Sequence, residues 1–403
     1  MTTHAFSTGE GANGRRSHAM PALATDRLVP QSKRFVPTHF PFQPLPQPNG
    51  PAPYRYDLSR LLPQSDIQAI KQAGKLVFHS LGDTGDFRGQ QKQFVAQMMT
   101  DDAEALDAQS KPAFCYHLGD VVYFAGDIDK YGDDFYATYQ EYPAFIVAIP
   151  GNHDCQPDDP QDGAIDPNKV PLDGYVQNFM SKNPHQLGSF KTGSGRTQMD
   201  LPNVYWTFIT PLATIIGLFS NVSETEGELH QDQIDWFHAE LTAADKSKAL
   251  IVAIHHPPFS GDTDHSGSSA VSHILTSAFA ATGVYPHIVL SGHVHNYQRF
   301  LHQPANGTAV TCLVSGNGGY TRLGRLQKVN GSYPTVPQEV DAELTLEQYD
   351  HERYGFLRIE VSETLIEVVS LGAQYAPGQV VTPDVIDHFK IDLASRKVTM
   401  PTP

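Results

Sequence analysis

The chain of 403 residues is short of cysteine, of cations and of long apolar runs. Its three cysteines, Cys115, Cys155 and Cys312, are widely spaced and fit no zinc-ribbon pattern. They read as buried free thiols, not as a disulfide framework or a thiolate metal site. No apolar run is long enough to span a membrane. Lys and Arg number 28 against 44 Asp and Glu, giving a formal net charge of −16 at pH 7. That deficit disfavours a nucleic-acid duplex as partner, because a phosphate backbone calls for a basic surface. A small anionic substrate stays open, since bound metal ions invert the local field. No hydrophobic stretch follows the Arg15–Arg16 pair, so no secretory or twin-arginine signal is expected, and the cytoplasm is the expected compartment. No internal repeat is visible.

What is present divides the chain in two. Residues 1–70 are rich in Pro, Gly and polar residues, as in FVPTHFPFQPLPQPNGPAPYRYD. This composition predicts an arm, partly disordered or packed along the surface, with Phe35, Phe40, Phe42, Tyr54 and Tyr56 as its packing groups. A short helix is expected over SDIQAIKQAG, with Ser65 as N-cap and Gly74 as stop. Residues 71–403 read as a single domain. From residue 75 a short apolar run repeatedly ends in a Gly- or Pro-bearing loop that carries Asp, Asn or His: KLVFHSLGDTGD, PAFCYHLGDVVY, PAFIVAIPGNHD, ALIVAIHHPP and PHIVLSGHVH. These runs read as buried strands. Helical stretches, QQKQFVAQMMTDDAEALD, ELHQDQIDWFHAELTAAD and VSHILTSAFAATG, lie between some of them, which points to an α/β core. Pairs such as NVYWTFITP with LATIIGLFSN, and FLRIEVSETLIEVVSLG, resemble hairpins, so the sheets should be mixed.

Ligand sites of open α/β sheets form beyond the carboxyl ends of the strands. That is where Asp83, Asp120, Asn152, His153, His255, His256, His293 and His295 fall. Oxygen and imidazole donors suit Mn, Zn or Fe. Each residue alone has a plainer reading: Asp and Asn form turns, and Tyr123, in VVYFAGD, could be a packed aromatic with one polar tip. From residue type alone, either His255 or His256 could ligate while the other contacts substrate. His79 and His117, inside strands, read as core histidines or as partners of ligands; His265, His273 and His287 read as structural or surface residues. Arg88, beside Asp86, could bind phosphate or start a helix in solvent.

Five such strand ends in this order are far more specific than any one of them. The set resembles the calcineurin-like metallophosphoesterase superfamily, and within it most closely the purple acid phosphatase branch, with motifs GDxG, GDxxY, GNHD, VxxH and GHxH. Here they are Gly82-Asp-Thr-Gly85, Gly119-Asp-Val-Val-Tyr123, Gly151-Asn-His-Asp154, Val252-Ala-Ile-His255 and Gly292-His-Val-His295. Gly85 stands where the wider superfamily has a ligand His, and Tyr123 where it often has Asp. NYQR, with Arg299, and SGNGG are also similar to that branch, and the likeness runs from residue 75 to about 372.

The resemblance implies a four-layer α/β/β/α sandwich of two mixed sheets flanked by helices. It implies one metal held by Asp83, Asp120, Tyr123 and His295, and a second held by Asp120, Asn152, His255 and His293, with Asp120 shared. The pair would be Fe3+ with Fe2+, Zn2+ or Mn2+, or a Mn/Zn pair. His153 or His256 would protonate the leaving group, and Asp154 would orient His153. The expected activity is hydrolysis of a small phosphorylated substrate, of the acid-phosphatase-like phosphomonoesterase kind, by a hydroxide held between the metals, in one step with inversion at phosphorus. The alternatives are a Mn/Zn-dependent phosphodiesterase or nucleotide phosphohydrolase, and a non-catalytic metal-binding scaffold.

Overall fold

The computed structural model describes residues 45–85, 89–155, 170–187, 196–220, 227–305 and 307–401, together with Leu28 and the two-residue strands Asp158–Asp159 and Ala164–Ile165. Most of the expected arm, with Phe35, Phe40 and Phe42, lies outside the described residues, as do Asp86 and Arg88.

Two mixed sheets form the core. In the seven-stranded sheet, Lys75–Leu81, Phe114–His117 and Phe145–Ala148 run parallel. Lys75–Leu81 pairs antiparallel with Tyr354–Ser362, which forms the expected hairpin with Leu365–Ala373. In the nine-stranded sheet, Ala213–Leu218, Ala249–Ile254, Ile288–Ser291 and Val310–Ser315 form a parallel block, and Trp206–Ile209 pairs antiparallel with Ala213–Leu218. Arg55–Asp57 adds a parallel edge strand beside Trp206–Ile209, so this part of the Pro-rich region extends the sheet.

The burial pattern explains why the strands read as continuous apolar runs. Along Ala249–Ile254, Ala249, Ile251 and Ala253 join one hydrophobic cluster with Phe78, Phe114 and Phe356 of the other sheet. Leu250, Val252 and Ile254 join a second cluster with Phe237, Leu241, Leu275 and Phe279. These last four lie on the helices Gln231–Ala243 and Ser269–Thr282. A strand covered on both faces needs apolar side chains at every position. The helix Gln91–Ala105 packs on Tyr354–Ser362. The expected four layers are therefore present. All three cysteines are buried and free.

One helix start differs from expectation. Helix Gln64–Ala73 is preceded by Pro63 as N-cap (φ −63°, ψ 154°), and Ser65 lies inside the first turn with its hydroxyl on Asp66. Proline already holds φ near the helical value and has no N–H to leave unsatisfied, so it suits a helix entry. Gly74 ends the helix in the left-handed conformation, as expected (φ 60°).

Candidate metal centre

The carboxyl ends of both parallel blocks meet at one place. Gly82–Asp83, Gly119–Asp120 and Gly151–His153 leave the seven-stranded sheet there; His255 and His293–His295 leave the nine-stranded sheet. Asp83 (φ 62°), Asp120 (φ 55°) and His293 (φ 67°) all adopt left-handed backbone. Non-glycine residues rarely do so, and such positions cluster at functional sites. The loops are tied to each other: Asp83 N–H donates to the Gly119 carbonyl (3.0 Å), Tyr123 N–H to that of Gly85 (3.2 Å) and Gly292 N–H to that of His255 (3.0 Å).

Two groups of donors converge. In the first, the Tyr123 hydroxyl lies 2.9 Å from Asp120 Oδ2, 3.3 Å from Asp83 Oδ1 and 3.3 Å from His295 Nε2. In the second, Asn152 Oδ1 lies 3.0 Å from His255 Nε2 and 2.9 Å from His293 Nδ1. Asp120 faces both, since its Oδ1 is 3.4 Å from His255 Nε2 while its Oδ2 points to Tyr123. Ligand atoms of Asp83, Asp120 and His255 all lie within 4.8 Å of one another, a buried group able to hold a metal ion. His255 Nδ1–H donates to the Leu118 carbonyl (2.8 Å), which leaves Nε2 facing Asn152 and Asp120 and free to act as a donor to a metal. A carbonyl acting on the far ring nitrogen is the usual way to fix a ligand histidine.

Gly85 is explained by the second loop. A Cβ at this position would lie 2.3 Å from the Val121 carbonyl oxygen. No side chain fits at residue 85 while the 121–123 turn holds Tyr123 in place. The missing histidine and the added tyrosine are two sides of one backbone arrangement.

The electrostatics favour positive charge at this point. Burial pushes the Asp83 carboxyl well above the usual range, and the neighbouring Asp120 adds to it. Burial would raise Asp120 as well, but the His255 and His153 imidazoles outweigh it and hold that carboxyl low. Burial opposes charge on His255, yet Asp120 and Asp83 pull it up to about 9. Burial, with both carboxylates adding, pushes the Tyr123 phenol well above its ordinary range, so as a phenol it donates to Asp120. Buried anionic groups require compensating cations, and oxygen and imidazole donors in this set fit a hard or borderline metal.

The other expected residues divide clearly. The His153 ring packs at a tilt against Tyr123 (centroids 4.2 Å), and its Nδ1–H donates to the Phe124 carbonyl (2.8 Å). Asp154 does not act on that ring: it accepts from the amides of Val121, Val122 and Gly151, holding two site loops together. The reason is that three backbone amides that need acceptors lie within 3.2 Å of its carboxylate. His256 Nδ1 is 2.9 Å from the Ser220 hydroxyl, and the ring packs at a tilt against His293 at 4.2 Å. Its Nε2 is buried without a hydrogen-bond partner among the described residues. His117 links the loops through Thr84 (2.8 Å) and Gly119 N–H (3.2 Å). His79 is a core residue between Asp102 (3.1 Å) and Tyr142 (3.1 Å). Arg299 is engaged by Asp387 at 2.6 Å, a buried ion pair between the two sheets.

Two residues join the site that the sequence did not single out. His265, expected to be structural or on the surface, lies with its ring 4.8 Å from His293 and 5.3 Å from His295. Tyr320 packs 4.2 Å from His295 and 4.8 Å from Tyr123. Tyr320 directly follows SGNGG, the one signal that could have marked it; His265 sits in a polar loop without a local pattern.

Comparison with known proteins identifies the family. Residues 65–297, more than half of the chain, match the family model for the Calcineurin-like phosphoesterase. Purple acid phosphatase 21 of Arabidopsis thaliana is 32% identical over 129 residues, covering 29% of this chain and 27% of that protein. The chain thus spans about a quarter of the length of this curated relative. Among solved structures, PhoD shares the fold with a TM-score of 0.51 at 13% identity, covering 81% of this chain and 72% of that one. A dimetal phosphatase from Danio rerio gives a TM-score of 0.42 at 11% identity, covering 77% and 98%. With its five strand-end motifs gathered at one buried point, the chain belongs to the calcineurin-like phosphoesterase family, and a weaker likeness links part of it to a purple acid phosphatase.

Proposed function

We propose that the protein is a binuclear-metal hydrolase of phosphate monoesters. Asp83, Asp120, Tyr123 and His295 hold one metal; Asp120, Asn152, His255 and His293 hold the other. The observation that carries this reading is the orientation of Asp120, whose Oδ2 faces the tyrosine group while its Oδ1 faces the histidine–asparagine group. Tyr123, once ionised, is a hard anionic donor, which favours Fe3+ at the first position with Fe2+, Zn2+ or Mn2+ at the second. A metal pair supplies Lewis-acid activation of water and charge stabilisation for phosphoryl transfer.

The chain's own residues do the rest. His153 is fixed by Phe124 with its Nδ1 protonated, so proton transfer to a leaving group runs through Nε2 of the charged ring. Burial lowers the pKa of this imidazole, so its charged form belongs to acid conditions. His256, held by Ser220, offers Nε2 to a phosphate oxygen or a leaving group. The rings of His265 and Tyr320 wall the site beside His293 and His295 and help exclude water.

The test is turnover of an aryl phosphate and an aryl phosphodiester by protein with its metal content measured. Monoester turnover is expected. Preference for the diester would replace the monoesterase reading, and inactivity on both with two metals bound would favour a scaffold.

A further inference from the structure

The acidic chain has one long exception. Between Asp264 and Glu339 it carries no Asp or Glu, while Arg299, Arg322, Arg325 and Lys328 fall within that span. Arg299 is committed to Asp387 in the core. Arg322 is placed differently. Residues 320–324 form an arc tied to His295 at both ends: the Tyr320 ring packs on the His295 ring at 4.2 Å, and Gly324 N–H donates to the His295 carbonyl at 2.9 Å. Arg322 is the apex of that arc, with its side chain 77% exposed. Its guanidinium reaches Asp264 at 3.4 Å, next to His265, whose ring lies against His293. The loop carrying Asp264 is pinned to the arc's far end, since Thr263 N–H donates to the Arg325 carbonyl at 2.8 Å.

Arg322 therefore bridges the two loops that wall the metal centre, at its outer lip. An exposed ion pair of this length holds its partners weakly. A phosphate or phosphonate offers the planar guanidinium a stronger, bidentate partner. We infer that Arg322 forms a subsite for a second anionic group, and that the substrate class is a phosphate ester bearing a further phosphate or carboxylate beyond the scissile one. This rests on the hydrolase reading above for the scissile group.

The experiment uses hydrolysis-resistant ligands, so that it does not depend on turnover. Binding of alkane bisphosphonates with a phosphonate at each end is compared with binding of the matching alkyl monophosphonates, by calorimetry on metal-loaded full-length protein. The preference for the bisphosphonate should fall about tenfold in Arg322→Ala, the usual weight of a charge-assisted hydrogen bond. It should stay within about twofold in Lys328→Ala, which removes one positive charge from the same acid-free span without touching the arc. Lys328 lies over the Tyr333 ring at 5.0 Å. An unchanged preference in Arg322→Ala overturns the inference, and so does an equal fall in both variants, which would mean a general field. Absence of turnover on both the aryl phosphate and the aryl phosphodiester would remove the hydrolase reading while leaving this binding comparison to decide the subsite.

Discussion

The Tyr123 hydroxyl lies 2.9 Å from Oδ2 of Asp120, three residues earlier in the same loop, and the other oxygen of that carboxylate faces His255. One turn thus presents a phenol to one side of the site and a two-faced carboxylate to its middle. The two residues answer different questions, and separate variants test them.

Asp120→Ala removes the only side chain shared by both donor groups in the proposed scheme. Metal analysis after dialysis should find both metals lost and nearly all turnover gone. Retention of two metals with full turnover would remove Asp120 from the bridging position.

Tyr123→Phe keeps the ring against His153 and Tyr320 but deletes the oxygen. Protein loaded with Fe3+ should be coloured through charge transfer from the phenolate, and the variant should lose that band in the visible spectrum. A colourless wild-type protein containing Fe3+ would refute ligation by Tyr123.

His153→Ala should retain both metals and slow turnover by about 10²–10⁴-fold, the usual weight of general acid catalysis. The loss should grow as the leaving group becomes more basic. An equal loss for good and poor leaving groups, read from a series of substituted phenyl phosphates, would assign His153 another task.

His287 predicts an acid limit on stability. Its Nδ1 accepts from Leu250 N–H (3.0 Å), and its Nε2–H donates to the Leu393 carbonyl (3.1 Å). Burial, with the Arg396 charge nearby, lowers its pKa to about 4. An ordinary imidazole titrates near ~6.5, so between these values the unfolded chain binds a proton that the folded one refuses. The contribution is full above about pH 6.5 and is lost as the pH falls toward 4, by up to about 3 kcal/mol. Urea unfolding of wild type and His287→Gln at several pH values should show a flatter acid slope in the variant. Parallel slopes would place the acid sensitivity elsewhere.

The grouping of the candidate-site residues was legible because each stands at or just after the end of an apolar run, so chain position and spatial position coincide. The ends of parallel strands gather by topology alone, which is why Asp83, Asp120, Asn152, His255 and His293 could be grouped before any contact was known. The reason for Gly85 was not legible, because the obstacle is the backbone of Val121 from another loop. His265 arrives by a polar loop whose path no local pattern records, whereas Tyr320 directly follows SGNGG, a stretch read for its glycines and not for the ring after it. Asp154 was assigned to a neighbouring ring by sequence proximity, yet its partners are amides, two of them some thirty residues back along the chain. Pro63 took the helix start from Ser65 because a rigid extended residue already sets the entry.

The alternation along Ala249–Ile254 has a consequence for the site. Odd-numbered residues of that strand feed the core between the sheets and even-numbered ones the core under the helices, and His255 is the next residue on the inward-facing parity. Deleting or inserting a single residue in this strand would exchange the contents of the two cores and turn the imidazole toward the opposite face. Strand parity and donor geometry are here one variable, so the length of this segment is constrained by the chemistry as strictly as its composition is by packing.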